Sequence, residues 1–111
     1  MIKWKYGLWL DDERKPDKIF LNRVENVFVA ESYEDAIFYL ANFREDERYE
    51  DVFVDFDHDL GEEKTGYDFA KFLLEKGIEI GGFSIHSMNP VGAKNIYELL
   101  THYDYKYWPR L

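Results

Sequence analysis

Short apolar runs alternate along this chain with segments of helical spacing, and that alternation limits its fold more than any other feature. The runs are Lys5–Leu10, Asn26–Ala30, Asp51–Phe56, Gly82–Ile85 and Tyr105–Trp108. They are bounded by turn residues and carry little polar alternation, as expected of strands buried on both faces. Helical patterns fall between most of them. Ser32-Tyr33-Glu34-Asp35 resembles a capping box with Asp in place of Glu, ahead of Ala36, Ile37, Leu40 and Phe43. Tyr67–Lys76 sets Phe69, Leu73 and Leu74 on one side and stops at Gly77. Asn89-Pro90 supplies a cap and a first-turn proline before Ala93, Ile96, Tyr97 and Leu100. This order predicts an α/β fold with a five-stranded, mainly parallel sheet and right-handed crossovers. The connection 11–25, broken by Pro16, is near the minimum for a crossover, so a loop with at most a short helix is expected there.

A chain of 111 residues has room for one core, so residues 1–111 are read as a single domain. Apolar residues make up 46 % of it, enough to pack that core. The absence of cysteine removes disulfides, thiolate nucleophiles and cysteine zinc sites, and fits a reducing cytoplasm. The N-terminal Met-Ile-Lys-Trp-Lys-Tyr-Gly does not resemble a signal peptide, and no apolar run approaches the length of a membrane span. A soluble cytoplasmic protein is therefore expected. Fourteen basic residues against 23 acidic ones give a net charge of −9, which repels duplex phosphate but not a partner offering a single phosphate or a nucleic-acid end. The acidic stretch Arg44–Asp51 reads as a solvated helix end and loop.

Polar residues collect where three of the predicted strands end. The first ends in Asp11-Asp12-Glu13-Arg14, the third in Asp57-His58-Asp59, and the fourth in His86-Ser87-Met88-Asn89. An Asp pair alone fits turn chemistry, and a lone histidine fits a satisfied structural role. Three such clusters at three strand ends are a different matter, because ligands of open α/β sheets bind beyond the carboxyl ends of the strands. Asp11, Asp12 and Asp59 offer hard oxygen donors suited to Mg²⁺. His58 and His86 suit acid–base work near neutral pH, with Asp57 and Asp59 beside them. Arg14, Ser87 and Asn89, with the free amides of the helix that follows Asn89, suit an anion such as phosphate.

Taken together, Leu8-Trp9-Leu10-Asp11-Asp12-Glu13-Arg14-Lys15-Pro16, Asp57-His58-Asp59-Leu60-Gly61, Thr65-Gly66-Tyr67-Asp68 and His86-Ser87-Met88-Asn89-Pro90-Val91-Gly92-Ala93 resemble the cyclic-phosphate-processing receiver domains, a derived branch of the response-regulator receivers. The resemblance implies a flavodoxin-like three-layer sandwich; this chain departs from the receiver pattern in a first helix that is expected to be degenerate or missing. It also implies a role on 2′,3′-cyclic phosphate ends of RNA or on related nucleotides. By position, Asp11 and Asp12 match the receiver acidic pair, Asp57 and Asp59 the phosphoacceptor loop, and Ser87 the hydroxyl after strand four. His58 and His86 are the branch's additions. A receiver carries a lysine at the end of strand five, whereas here Trp108 precedes the proline and Lys106 lies two residues earlier.

Three functions follow as expectations. The first is a phosphoesterase using His58 and His86 as acid and base. The second is a phosphoacceptor or phosphate-sensing domain using Asp57 or Asp59. The third is a non-catalytic acidic module that contacts a basic partner. Oligomeric state is not legible, and the aromatic C-terminus (Tyr103, Tyr105, Tyr107, Trp108) reads as core and edge packing.

Overall fold

The computed structural model describes residues 4–43 and 49–110. Strands β1 (Trp4–Leu10), β2 (Val24–Ala30), β3 (Val52–Phe56) and β4 (Gly82–Ile85) form one sheet in the order β2-β1-β3-β4, with every pairing parallel. Helices α1 (Lys18–Leu21), α2 (Tyr33–Phe43), α3 (Gly66–Glu75) and α4 (Pro90–His102) fill the connections. All five residues of β3 are buried, as a central strand covered on both faces requires.

The expected fifth strand is corrected. Tyr105–Trp108 makes one parallel bridge, Tyr107 to Phe83, held by Phe83 N–H donating to Lys106 O and Trp108 N–H donating to Phe83 O. Pro109 follows and has no N–H to continue a ladder. Among the described residues the sheet therefore has four strands and a tail that touches the fourth. The expected short helix in the first connection is α1, a single turn capped by the Asp17 carboxylate on Phe20 N–H.

Two apolar clusters flank the sheet. One joins Leu8, Leu10, Val54, Phe56 and Phe83 of the strands to Leu40 of α2, Leu73 of α3 and Leu100 of α4. The other is smaller: Trp4, Trp9, Val24 and Phe53 under Phe20 of α1, with Trp108 of the tail against them. The third layer thus exists as one helical turn plus the C-terminal tail. Gly7 makes this possible, since a Cβ there would lie 2.7 Å from the Phe20 ring and 2.6 Å from Val24.

Caps set the helix starts. Asn89 accepts from Gly92 N–H and Pro90 opens α4, as the sequence predicts. Ser32 accepts from Asp35 N–H, but the Asp35 carboxylate returns to Glu31 N–H, one residue before the reciprocal partner of a capping box. A complete capping box stands at α3, where Thr65 and Asp68 bond reciprocally. Arg44, Glu45, Asp46, Glu47 and Arg48 of the expected acidic loop lie outside the described residues, and Tyr49–Asp51 form a 3-10 turn into β3. Among the described residues, no helix is long and apolar enough to cross a membrane.

Candidate functional site

Because β1, β3 and β4 are neighbours, the residues that follow them meet at one edge. Each is fixed by one further ladder bond: Asp11 N–H to Ala30 O, Asp57 N–H to Leu10 O, and His86 N–H to Phe56 O. The three side chains converge, with a ligand atom from each of Asp11, Asp57 and His86 within 4.8 Å of the others.

Asp11 is almost wholly buried and fully engaged. Its Oδ1 accepts from the amides of Glu13 (2.8 Å) and Arg14 (2.9 Å), while Oδ2 accepts from Arg14 Nε (3.1 Å) and faces His86 Nε2 (3.0 Å). Burial pushes its carboxyl upward, but the two amides and the bond and charge of His86 outweigh that and hold it below 3.8. Asp57, also buried, accepts from His58 N–H at 2.8 Å and lies 3.5 Å from Arg14 Nη2. Arg14 therefore reaches both carboxylates.

His86 is held on both sides. Its Nδ1 lies 2.7 Å from Asp55 Oδ1, and its ring stacks on Trp9 at 3.9 Å with 7° between planes. Asp55 is fully buried on β3, and its other oxygen accepts from Arg110, which also binds Asp17. The Arg110 guanidinium sits 5.7 Å from the Trp9 ring centroid. To donate to both carboxylates the His86 ring must carry both protons, and in this arrangement neither nitrogen is free.

His58 is arranged differently. Its Nδ1 lies 2.9 Å from Asp59 Oδ1, and Asn89 Nδ2 binds the other Asp59 oxygen at 3.3 Å. The bond from His58 holds the Asp59 carboxyl below 3.8, against a smaller effect of burial and with help from Asn89. An Nδ1–H aimed at a carboxylate leaves Nε2 with the lone pair. Nε2 has no hydrogen-bond partner among the described residues.

Two glycines of the sequence motifs make this docking possible. A Cβ on Gly92 would stand 2.3 Å from His58 Cγ, and one on Gly66 would stand 1.9 Å from Asp57 O. Both helix starts, α3 and α4, press against the loop that carries Asp57 and His58. Gly66 N–H adds a 2.8 Å bond to His58 O.

Asp12 and Asp59 line the same cleft as Asp11 and Asp57, without joining the three-residue cluster. Ser87 Oγ accepts from Asn89 N–H at 3.0 Å and lines a separate cleft with His86 and Arg14. Lys106 is exposed, and its carbonyl serves the bridge to Phe83. The tail cation that reaches the strand ends is Arg110. Sequence reasoning missed Arg110, Asp55 and Trp9; an aspartate inside an apolar strand was the available signal for Asp55.

The cluster of Asp11, Asp57 and His86 does not suit Mg²⁺ as arranged. Both Asp11 oxygens are taken by protein donors, Arg14 lies against Asp11 and Asp57, and the third group of the cluster is an imidazole, whereas Mg²⁺ takes oxygen ligands in an octahedron. A divalent ion at this position has to displace Arg14.

The family profile described as cyclic-phosphate processing receiver domain matches residues 6–102. No curated protein matches the chain. Among solved structures, a mutant of the receiver domain of the histidine kinase CKI1 from Arabidopsis thaliana superposes with a TM-score of 0.61 at 14 % identity, covering 98 % of this chain and 83 % of that one. A fusion protein carrying a trimeric coiled coil of yeast Spc42 gives 0.57 at 18 % identity, covering 98 % and 69 %. At these identities the likeness shows a receiver-type, flavodoxin-like fold.

Proposed function

The chain belongs to the cyclic-phosphate processing receiver domain family, and on that premise we propose that it hydrolyses a 2′,3′-cyclic phosphate at a nucleotide or RNA end. The observation that carries this reading is the His58–Asp59 pair, an imidazole oriented at 2.9 Å by a carboxylate that lines the strand-end crevice, with its other nitrogen unpartnered among the described residues. Such a group takes a proton from an attacking water as phosphorus–oxygen bond formation begins. The ring P–O bond then breaks, the leaving ribose oxygen takes a proton from a water molecule, and His58 gives its proton back to solvent, leaving a phosphate monoester.

His86 has a different part from His58. Clamped between Asp55 and Asp11 and stacked on Trp9, it is a positioning group that fixes the Asp11 carboxylate at the edge of the crevice. Arg14, with a side chain 44 % exposed, is within reach of both the buried carboxylates and a ligand. Asn89 orients Asp59 and caps α4.

The test is turnover of a 2′,3′-cyclic nucleotide by wild type and by His58→Ala. Loss of turnover in a variant with an unchanged unfolding midpoint supports the reading; retained turnover sinks it. A second reading has support from Asp57, buried at the end of β3 opposite Asp11 as a receiver phosphoacceptor is. In that case a small phosphodonor adds one acid-labile phosphate, which Asp57→Asn does not accept.

A further inference from the structure

Arg14 separates two clefts of opposite character at the strand ends. The first, of about 430 Å³, is lined by Arg14, Met88 and five carboxylates, those of Asp11, Asp12, Glu13, Asp57 and Asp59. The second, of about 520 Å³, has Arg14, Lys15 and Arg110 against the single carboxylate of Asp17, with His86, Ser87 and Trp9 completing its wall. An anionic phosphate entering the first cleft meets five like charges and one cation. In the second, three cations stand in the wall against one carboxylate. Arg14 and Arg110 are already paired, with Asp11 and Asp57 and with Asp17 and Asp55, so Lys15 brings the unpaired charge, within a protein whose net charge is −9.

Donors are also available in the second cleft. Among the described residues Lys15 is exposed and has no ion-pair partner. Ser87 Oγ accepts from Asn89 N–H, which leaves its own proton to give. Arg110 uses one N–H on Asp55 and one on Asp17, and a guanidinium has five. The frame is fixed beforehand. Trp9 Nε1 donates to Arg14 O at 2.7 Å, pinning the loop that carries Arg14 and Lys15, and Asp55 anchors the tail that carries Arg110.

We infer that this second cleft seats the phosphate group of the substrate, with Lys15 and Arg110 as its clamp and Ser87 as a hydroxyl donor. This rests on the proposed handling of a phosphate ester and names the subsite for it. It gives the C-terminal tail a role that the motifs around the aspartates do not reveal.

The probe is inorganic phosphate, followed by a 2′,3′-cyclic nucleotide, titrated calorimetrically at low salt into the whole chain. Lys15→Ala is expected to weaken phosphate binding on the order of tenfold, with Arg110→Gln weaker still and Arg110→Lys in between. Asp12→Asn in the acidic cleft is expected to bind phosphate as tightly as wild type or tighter. Lys15 is exposed and forms no ion pair among the described residues, so Lys15→Ala decides the matter even if Arg110→Gln fails to fold. Wild-type affinity in Lys15→Ala, or weakened binding in Asp12→Asn, overturns the assignment, as does a wild type that binds no phosphate. Phosphate binding that follows the expected pattern, without turnover of the cyclic nucleotide, overturns the catalytic reading alone.

Discussion

His86 Nδ1 and Asp55 Oδ1 are 2.7 Å apart although 31 residues separate them, and the bond lies at the centre of a chain running Asp11–His86–Asp55–Arg110–Asp17. It alternates acid and base and crosses from the first strand end to the C-terminal tail. In a chain this acidic, such pairing lets three aspartates stand at a core edge without uncompensated charge.

Removing Asp55 takes from His86 and Arg110 their shared buried carboxylate and leaves each with one partner, Asp11 and Asp17. Asp55→Ala is expected to cost about 3–5 kcal/mol, the range for breaking a buried pair from one side. Urea denaturation checks it. A loss below about 1 kcal/mol would mean that water replaces the carboxylate freely.

Acid should unfold the protein through the same residues. Asp11 and Asp17 both titrate below 3.8 in the folded state, each against the upward effect of its own burial. The unfolded chain then binds protons first as pH falls, so their stabilisation is complete above 3.8 and is lost as pH drops through the folded values. In Asp11→Asn the unfolding midpoint should fall less steeply with acid than in wild type. Parallel curves would remove Asp11 from the account.

The two motif glycines should respond unlike ordinary glycines. Gly66→Ala sets a Cβ 1.9 Å from backbone oxygen of Asp57, which cannot move as a flexible side chain can, so a loss of about 3 kcal/mol or more is expected. Gly77, with φ +65 and nothing within 4 Å of a Cβ, should lose only about 1 kcal/mol on the same change. Equal effects in thermal unfolding would contradict the close approach at α3.

Gly92→Ala probes the His58 ring itself. Its Cβ would stand 2.3 Å from Cγ, so the ring has to leave Asp59. The His58 bond is the main cause of the low Asp59 titration, and NMR should show that carboxyl moving up toward 3.8. An unmoved Asp59 would show that the ring adapts without losing its partner.

Arg14→Ala bears on the metal. With the guanidinium gone from between Asp11 and Asp57, Mg²⁺ affinity measured by calorimetry should rise about tenfold or more, because two carboxylates lose their competing cation. Unchanged or weaker Mg²⁺ binding would show that Arg14 does not guard that position.

The order of the elements, three of the four helices and the convergence of the strand ends were legible because they rest on short-range signals. Asn89-Pro90 starts α4, Gly77 ends the pattern of α3, and each apolar run stops at a polar cluster. The fifth strand was not legible as absent: Tyr105–Trp108 has strand composition, but β4 is only four residues long and Pro109 cannot extend a ladder. Ser32 has the letters of a capping box but only half its bonds, whereas the box is complete at Thr65, where Asp68 reaches its own cap residue.

By itself, the sequence determined which residues gather at the strand ends, since a parallel α/β order brings them to one edge. Tertiary structure decided how they divide. Strand register sets Trp9, Asp55 and Ser84 side by side, and that register places the carboxylate beside His86 and the tail arginine. His58 and His86, alike as letters, then differ in kind: one keeps a free nitrogen, and the other is bound at both. Hydrogen-bond partners 31, 55 or 75 residues apart have no local pattern, because only packing determines which donor reaches which acceptor.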